Sequence, residues 1–147
     1  MGRRVFFCFY IKGDLSRANQ VRASYEAEGG LSEGFHDISV WREREKKGAA
    51  DVHELIDTGI AASAVTVVLI GSETADRKYM DYEISQTLAR GNGLLGIYIH
   101  DLKDAEGNTS VKGAVPAGMI AAGAPIYEWD SSKFSAWVEA AAKHAGK

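Results

Sequence analysis

The segment Thr74-Ala75-Asp76-Arg77-Lys78-Tyr79-Met80-Asp81-Tyr82-Glu83-Ile84 places side chains fit for chemistry at a helical spacing. Tyr79 and Glu83 are four residues apart and share one helix face with Asp76. Taken alone, Glu83 reads as a solvated helix carboxylate; with its aromatic neighbour it is also a candidate for catalysis. Other chemistry is scarcer. His36, His53, His100 and His144 form neither HExxH nor a short paired spacing, so no metal site is expected. His100, beside Asp101 after an apolar run, reads as a loop histidine, with a place in a site left open. Cys8 lies inside an apolar run, where burial raises a thiol's pKa and makes a poor nucleophile. Phe9-Tyr10-Ile11-Lys12-Gly13-Asp14 fits neither GxGxxG nor the P-loop, which disfavours dinucleotide-binding and NTPase folds of those kinds. A receiver would carry a phosphoacceptor Asp where Leu69-Ile70-Gly71-Ser72 stands, and only Ser16 is available for a flavodoxin-type phosphate loop.

The elements that must position these residues follow from the apolar pattern. Val5-Phe6-Phe7-Cys8-Phe9-Tyr10 is a continuous apolar run, the mark of a strand buried on both faces. Asp14 or Ser16 is expected to cap a helix carrying Leu15, Ala18, Val21, Ala23 and Tyr25, which Gly29-Gly30 stops. A weaker extended piece is expected around Gly34-Phe35-His36-Asp37, then a long polar loop with Ile38, Val40 and Trp41. Helical spacing returns from about Ala50 to Ser63, followed by the strand Val65–Ile70. A third helix is expected from Asp76 to Arg90, ending at Gly91-Asn92-Gly93, and a strand at Leu94–Ile99. Pro125–Trp129 reads as a last strand, and Phe134, Trp137, Val138 and Ala141 mark a closing helix.

Five strands alternating with helices imply an α/β fold: a flavodoxin-like three-layer sandwich with a parallel sheet in the order 2-1-3-4-5. The crevice of such a sheet lies beyond the carboxyl ends of its strands, which selects the loops 9–16, 36–47, 71–79 and 100 onward. No repeat or linker interrupts the 147 residues, so residues 1–147 read as one domain. A net charge of -3 disfavours nucleic acid or an anionic membrane as principal partner. Arg42, Arg44, Lys46 and Lys47, interrupted by Glu43 and Glu45, read as a solvated charged face. One cysteine excludes a disulfide framework, no apolar run reaches the ~20 residues of a membrane span, and Phe6 disfavours myristoylation. A cytoplasmic protein is expected.

Several pieces together resemble the TIR-like family that includes the TIR sensor of the Thoeris anti-phage system. They are Arg4–Phe9, Asn19-Gln20-Val21-Arg22, Asp37-Ile38-Ser39-Val40-Trp41, Thr66–Thr74 leading into Arg77–Ile84, and Gly93–His100. Their order covers nearly the whole chain. The resemblance implies cleavage of NAD between nicotinamide and ribose by a glutamate in a WxxxE-like arrangement, here Tyr79-Met80-Asp81-Tyr82-Glu83. Tyr79 stands where many relatives carry Trp, and Cys8 where many have Ser. Glu83 is then the catalytic residue, and Phe9, Tyr10, Asp14, Asn19, Asp37, Trp41, Arg77 and Tyr79 are the substrate-binding set, with no metal.

The chemistry fits a carboxylate. Loss of neutral nicotinamide leaves an oxocarbenium-like ribosyl centre, which a nearby carboxylate stabilises. Phe9, Tyr10, Trp41 and Tyr79 are placed to stack on flat rings and are expected around Glu83, with Arg77 toward the pyrophosphate. A shielded centre can be attacked from within the same ligand, which gives a cyclic ADP-ribose-type product. The resemblance also implies a diffusible nucleotide signal to a separate effector, a phage-derived trigger, and a homo-oligomer on activation. A non-catalytic TIR-like interaction module is the alternative.

Overall fold

The structure is a computed structural model and describes residues 2–35 and 38–147. Its elements run β1 (Arg4–Cys8), α1 (Ile11–Ala27), β2 (Leu31–Glu33), α2 (Ile38–Lys47), α3 (Ala49–Ala61), β3 (Val65–Ile70), α4 (Met80–Ala89), β4 (Gly93–Tyr98), α5 (Ala117–Ala122), β5 (Ile126–Glu128) and α6 (Phe134–His144). A short 3-10 turn, Thr74–Asp76, precedes α4. The strands form one parallel sheet in the order β2-β1-β3-β4-β5, as expected. All six residues of β3 are buried, because helices cover both faces of the sheet.

Alternation along the strands sorts the apolar residues into two cores. Phe7, Val67, Leu69 and Ile97 face α1 and α6, packing with Val21, Tyr25, Phe134 and Val138. Phe6, Cys8, Val68 and Ile70 face the other way, toward Ile56 and Ile60 of α3, Met80 and Ile84 of α4, and Met119 of α5. A one-residue slip of β1 would exchange these faces, so Cys8 is committed to the α4 side.

Four local expectations are corrected. The first strand stops at Cys8, where its pairing with Val68 ends, and the Asp14 N–H already donates to the Tyr10 carbonyl at 2.8 Å. The helix therefore begins at Ile11, and neither Asp14 nor Ser16 caps it. The second strand lies at Leu31–Glu33, ahead of the Gly34–Asp37 piece, because the Leu31 N–H donates to the Arg3 carbonyl at the sheet edge. His36 and Asp37 lie outside the described residues. The stretch 38–47 is a helix and not a loop. Its Arg, Glu and Lys residues are strong helix formers and largely solvated, so no apolar stripe announces it; Glu43 and Lys47 pair along it at 3.8 Å. The helix expected at 76–90 begins only at Met80, since Arg77 adopts extended backbone between the 3-10 turn and α4. Before β5 comes the short α5, whose run AGMIAA buries only Met119 and carries no helical stripe.

Candidate functional site

Glu83 sits in the first turn of α4 with 2% of its surface exposed. Two contacts hold its carboxylate. The Cys8 thiol donates to Oε2 at 3.0 Å across the α4–sheet interface, and the Arg77 guanidinium pairs with Oε1. Burial pushes the Cys8 thiol up to about 12, so it remains a protonated donor, with Arg77 pulling in the opposite direction. The Arg77 side chain is 10% exposed, and its guanidinium lies 5.7 Å from the Trp41 ring centre. Burial lowers the Arg77 pKa, and the nearby Glu45 carboxylate opposes that shift.

The backbone of α4 is pinned from below. The Thr87 hydroxyl donates to the Glu83 carbonyl at 2.8 Å and shares a buried hydrogen bond with Thr66 of β3 at 2.7 Å. From α3, Asp57 accepts from the Tyr82 hydroxyl at 2.8 Å, and His53 stacks on the Tyr82 ring at 3.7 Å. Upstream, the Gly71 N–H donates to the Thr74 hydroxyl, which donates in turn to the Leu69 carbonyl. This turn sets where Arg77 leaves β3.

Glu83, Arg77, Phe9 and Trp41 line one cleft, with Phe6, Phe7, Ile11, Gly34, Leu55 and Ile56 completing its walls. The room left in it, about 20 Å³, suits a water-sized molecule and not a nicotinamide ring. Gly34 has φ +94°, and a Cβ there would lie 2.5 Å from the Phe7 carbonyl oxygen, so only glycine lets this loop lie against β1.

Arg77 and Trp41 also line a second, roomier cleft with Tyr10, Ile11, Lys12, Glu45, Asp76, Lys78 and Tyr79. The aromatic set expected around Glu83 is thus divided: Phe9 and Trp41 border its cleft, whereas Tyr10 and Tyr79 border the neighbouring one. Tyr79, buried at the head of α4, meets Trp41 edge to face at 6.0 Å and His53 at 5.9 Å. Asp14 lies elsewhere, buried against Gly71 and paired with Arg17 at 3.0 Å. Burial raises its pKa against the pull of Arg17. Arg17 also donates to the Leu102 and Asn108 carbonyls, tying down the loop after β4. Asn19 is exposed on α1, and Asp37 lies outside the described residues. His100 borders neither cleft. Its ligand atoms lie within 4.8 Å of those of Asp101 and Glu128, but Glu128 already accepts from Lys112 at 3.1 Å.

Sequence reasoning missed Cys8 as a partner of Glu83, and Lys12, Glu45 and Lys78 beside Arg77. The alternation of β1 signals that Cys8 shares a face with Phe6, but nothing local points it at a residue so distant in sequence.

Residues 6–104 match the family described as Thoeris protein ThsB, TIR-like domain. The chain belongs to this ThsB TIR-like family. A curated relative from Bacillus cereus (strain MSX-D12), named "Putative cyclic ADP-D-ribose synthase ThsB1", is 32% identical over 150 residues, covering 96% of this chain and 78% of the relative. Among solved structures, the Clostridium botulinum CMP N-glycosidase BcmB superposes with a TM-score of 0.53 at 11% identity, over 93% of this chain and 98% of that one. That likeness concerns the fold alone. Within the ThsB TIR-like domain, the matched span holds both clefts, from Phe6 of β1 through Glu83.

Proposed function

We propose that this TIR-like chain, acting as a single domain over residues 1–147, consumes NAD by breaking the nicotinamide–ribose bond. It makes an ADP-ribose-derived, cyclic signal for a separate effector in anti-phage defence. The observation that carries the reading is the Glu83 carboxylate, held between Cys8 and Arg77 in a cleft bordered by the Phe9 and Trp41 rings. The relative's printed name, a cyclic ADP-ribose synthase, supports the same chemistry.

In the reaction the C1′–N bond breaks and its electron pair goes to the pyridinium nitrogen, so nicotinamide leaves neutral and C1′ becomes positive. Glu83 stabilises that charge. A nitrogen or hydroxyl of the same dinucleotide then supplies a lone pair to C1′, a hydroxyl losing its proton to solvent. Water in that role would give ADP-ribose instead. Apolar walls from Phe6, Leu55 and Ile56 favour the internal nucleophile by excluding water. No step calls on a metal. A phage-derived trigger, self-association on activation and a cytoplasmic setting complete the proposal; among the described residues no helix is long and apolar enough to cross a membrane.

The narrowness of the cleft favours a second reading, a TIR-like module that binds partner proteins without chemistry. Mass spectrometry of NAD incubated with the purified protein, with and without lysate of phage-infected cells, separates the two. Release of nicotinamide with a cyclic product is expected, and Glu83→Gln should lower turnover by about 100-fold or more while keeping the native fold. Intact NAD under every condition, or a folded Glu83→Gln variant of near wild-type rate, would overturn the enzyme.

A further inference from the structure

Arg77 borders both clefts, together with Ile11 and Trp41. On the inner side its guanidinium pairs with Glu83, at the place where a reacting ribosyl centre would carry positive charge. The pairing underuses a five-donor group: Nε is buried with no hydrogen-bond partner among the described residues. On the outer side the second cleft offers space, with Lys12 and Lys78 at its border. Glu45, on the same border, is close enough to act on the Arg77 charge. Arg77 stands on the non-helical link between the 3-10 turn and α4, so its side chain can swing without unwinding a helix.

We propose that Arg77 is a gate: in this closed state its guanidinium neutralises Glu83 and fills the reaction cleft, and the diphosphate of a bound dinucleotide draws it outward, between Lys12 and Lys78. The inference rests on the NAD-cleaving reading above. The energetics are those of exchanging one anion for another. A guanidinium buried against one carboxylate gives up that partner for a bidentate diphosphate, whose oxygens match its fork and satisfy more of its donors. Departure of Arg77 frees the Glu83 charge at the moment substrate arrives and enlarges a cleft otherwise too small for the nicotinamide ring. Without a dinucleotide, the carboxylate stays occupied.

The test measures turnover of NAD and of nicotinamide riboside, which has the scissile bond but no diphosphate, together with ADP-ribose binding, by the full chain and by Arg77→Gln and Arg77→Lys, with thermal melts to verify folding. Arg77→Gln removes both the inner counter-ion and the outer clasp. With no diphosphate to open the wild-type gate, turnover of the riboside should rise about tenfold in this variant, while the ADP-ribose Kd should weaken about tenfold, each the size of one charged hydrogen bond. A residue that only supports the fold would not speed the riboside while weakening the diphosphate ligand. Arg77→Lys keeps a cation but loses the fork, so its riboside turnover should exceed wild type with a smaller loss of ADP-ribose affinity. It decides the matter if Arg77→Gln does not fold. Riboside turnover at or below wild type in the folded variant overturns the gate while leaving NAD cleavage standing. Raised riboside turnover with unchanged ADP-ribose affinity overturns the outward half of the motion, and with it the gate. Intact NAD with every protein, with and without infected lysate, overturns the NAD-cleaving reading and the gate together.

Discussion

Cys8 and Glu83 meet across 75 residues of sequence, the thiol donating to the carboxylate. A thiol with 1% exposure beside a carboxylate has little access to water, and burial raises its pKa to about 12. Thiolate is the reactive form, so native Cys8 should resist labelling by a disulfide reagent at pH 8, whereas urea-unfolded chain should react at the rate of an ordinary thiol. The linkage sign agrees. A folded pKa above the ordinary value of 9.0 means that stability is whole below pH 9 and declines as pH rises toward 12. Rapid native labelling, on the time scale of the unfolded chain, would show that the thiol is not sealed against α4. The same burial explains why Cys8 serves Glu83 as a neutral donor and not as a second nucleophile.

At the scale of elements, the register of α4 on β3 depends on two hydroxyls. Thr87 and Thr66 satisfy each other inside the core, and Thr87 also holds the Glu83 carbonyl. Thr87→Val keeps the shape but strands the Thr66 hydroxyl, a loss of about 1–3 kcal/mol in unfolding free energy. Replacing both threonines by Val removes donor and acceptor together, so the double variant should recover most of that loss. Urea melts of the single and double variants give the comparison; equal losses in both would mean that the pair does not anchor the helix. The loop after β4 has its own anchor in Arg17, which reaches from α1 to the Leu102 and Asn108 carbonyls. Asp14 supplies the counter-ion of that anchor.

Across the whole molecule, the two ends of the chain are clamped by a forked pair: Arg3 donates to both carboxylate oxygens of Glu139, at 2.8 and 3.0 Å, joining the residue just before β1 to α6. The guanidinium's hydrogen bonds hold the Glu139 carboxyl below its ordinary value of 4.5. A lowered carboxylate pKa contributes stability that is present above the unfolded value and is lost as pH falls through the folded one. Thermal melts of wild type and Glu139→Gln should therefore differ most near neutral pH and converge on acidification below about pH 4. A gap that stays constant down to pH 3 would assign the effect of the substitution to packing instead of charge. Asp104, held below its ordinary value by the backbone N–H groups of Asn108 and Glu106, acts in the same direction. Asp14, raised by burial, acts in the opposite one.

The sheet order and the two-sided burial of β1, β3 and β4 were legible in the sequence, as was the presence of Glu83 on the helix after β3, though in its first turn and not two turns in, since that helix starts at Met80. Each depends on a local pattern: apolar runs bounded by glycine, and crossovers long enough to return the chain in parallel. The helix α2 was hidden because its stability comes from helix-forming charged residues and not from an apolar stripe. The division of the aromatic residues between two clefts, the pairing of Asp14 with Arg17, and the hold of Cys8 and Arg77 on Glu83 came only with the tertiary structure. Periodicity assigns a side chain to a face, but it cannot say which buried charge will find which partner. That choice is made where layers close over one another, water is excluded, and each polar group must be satisfied by whatever the fold has brought within reach.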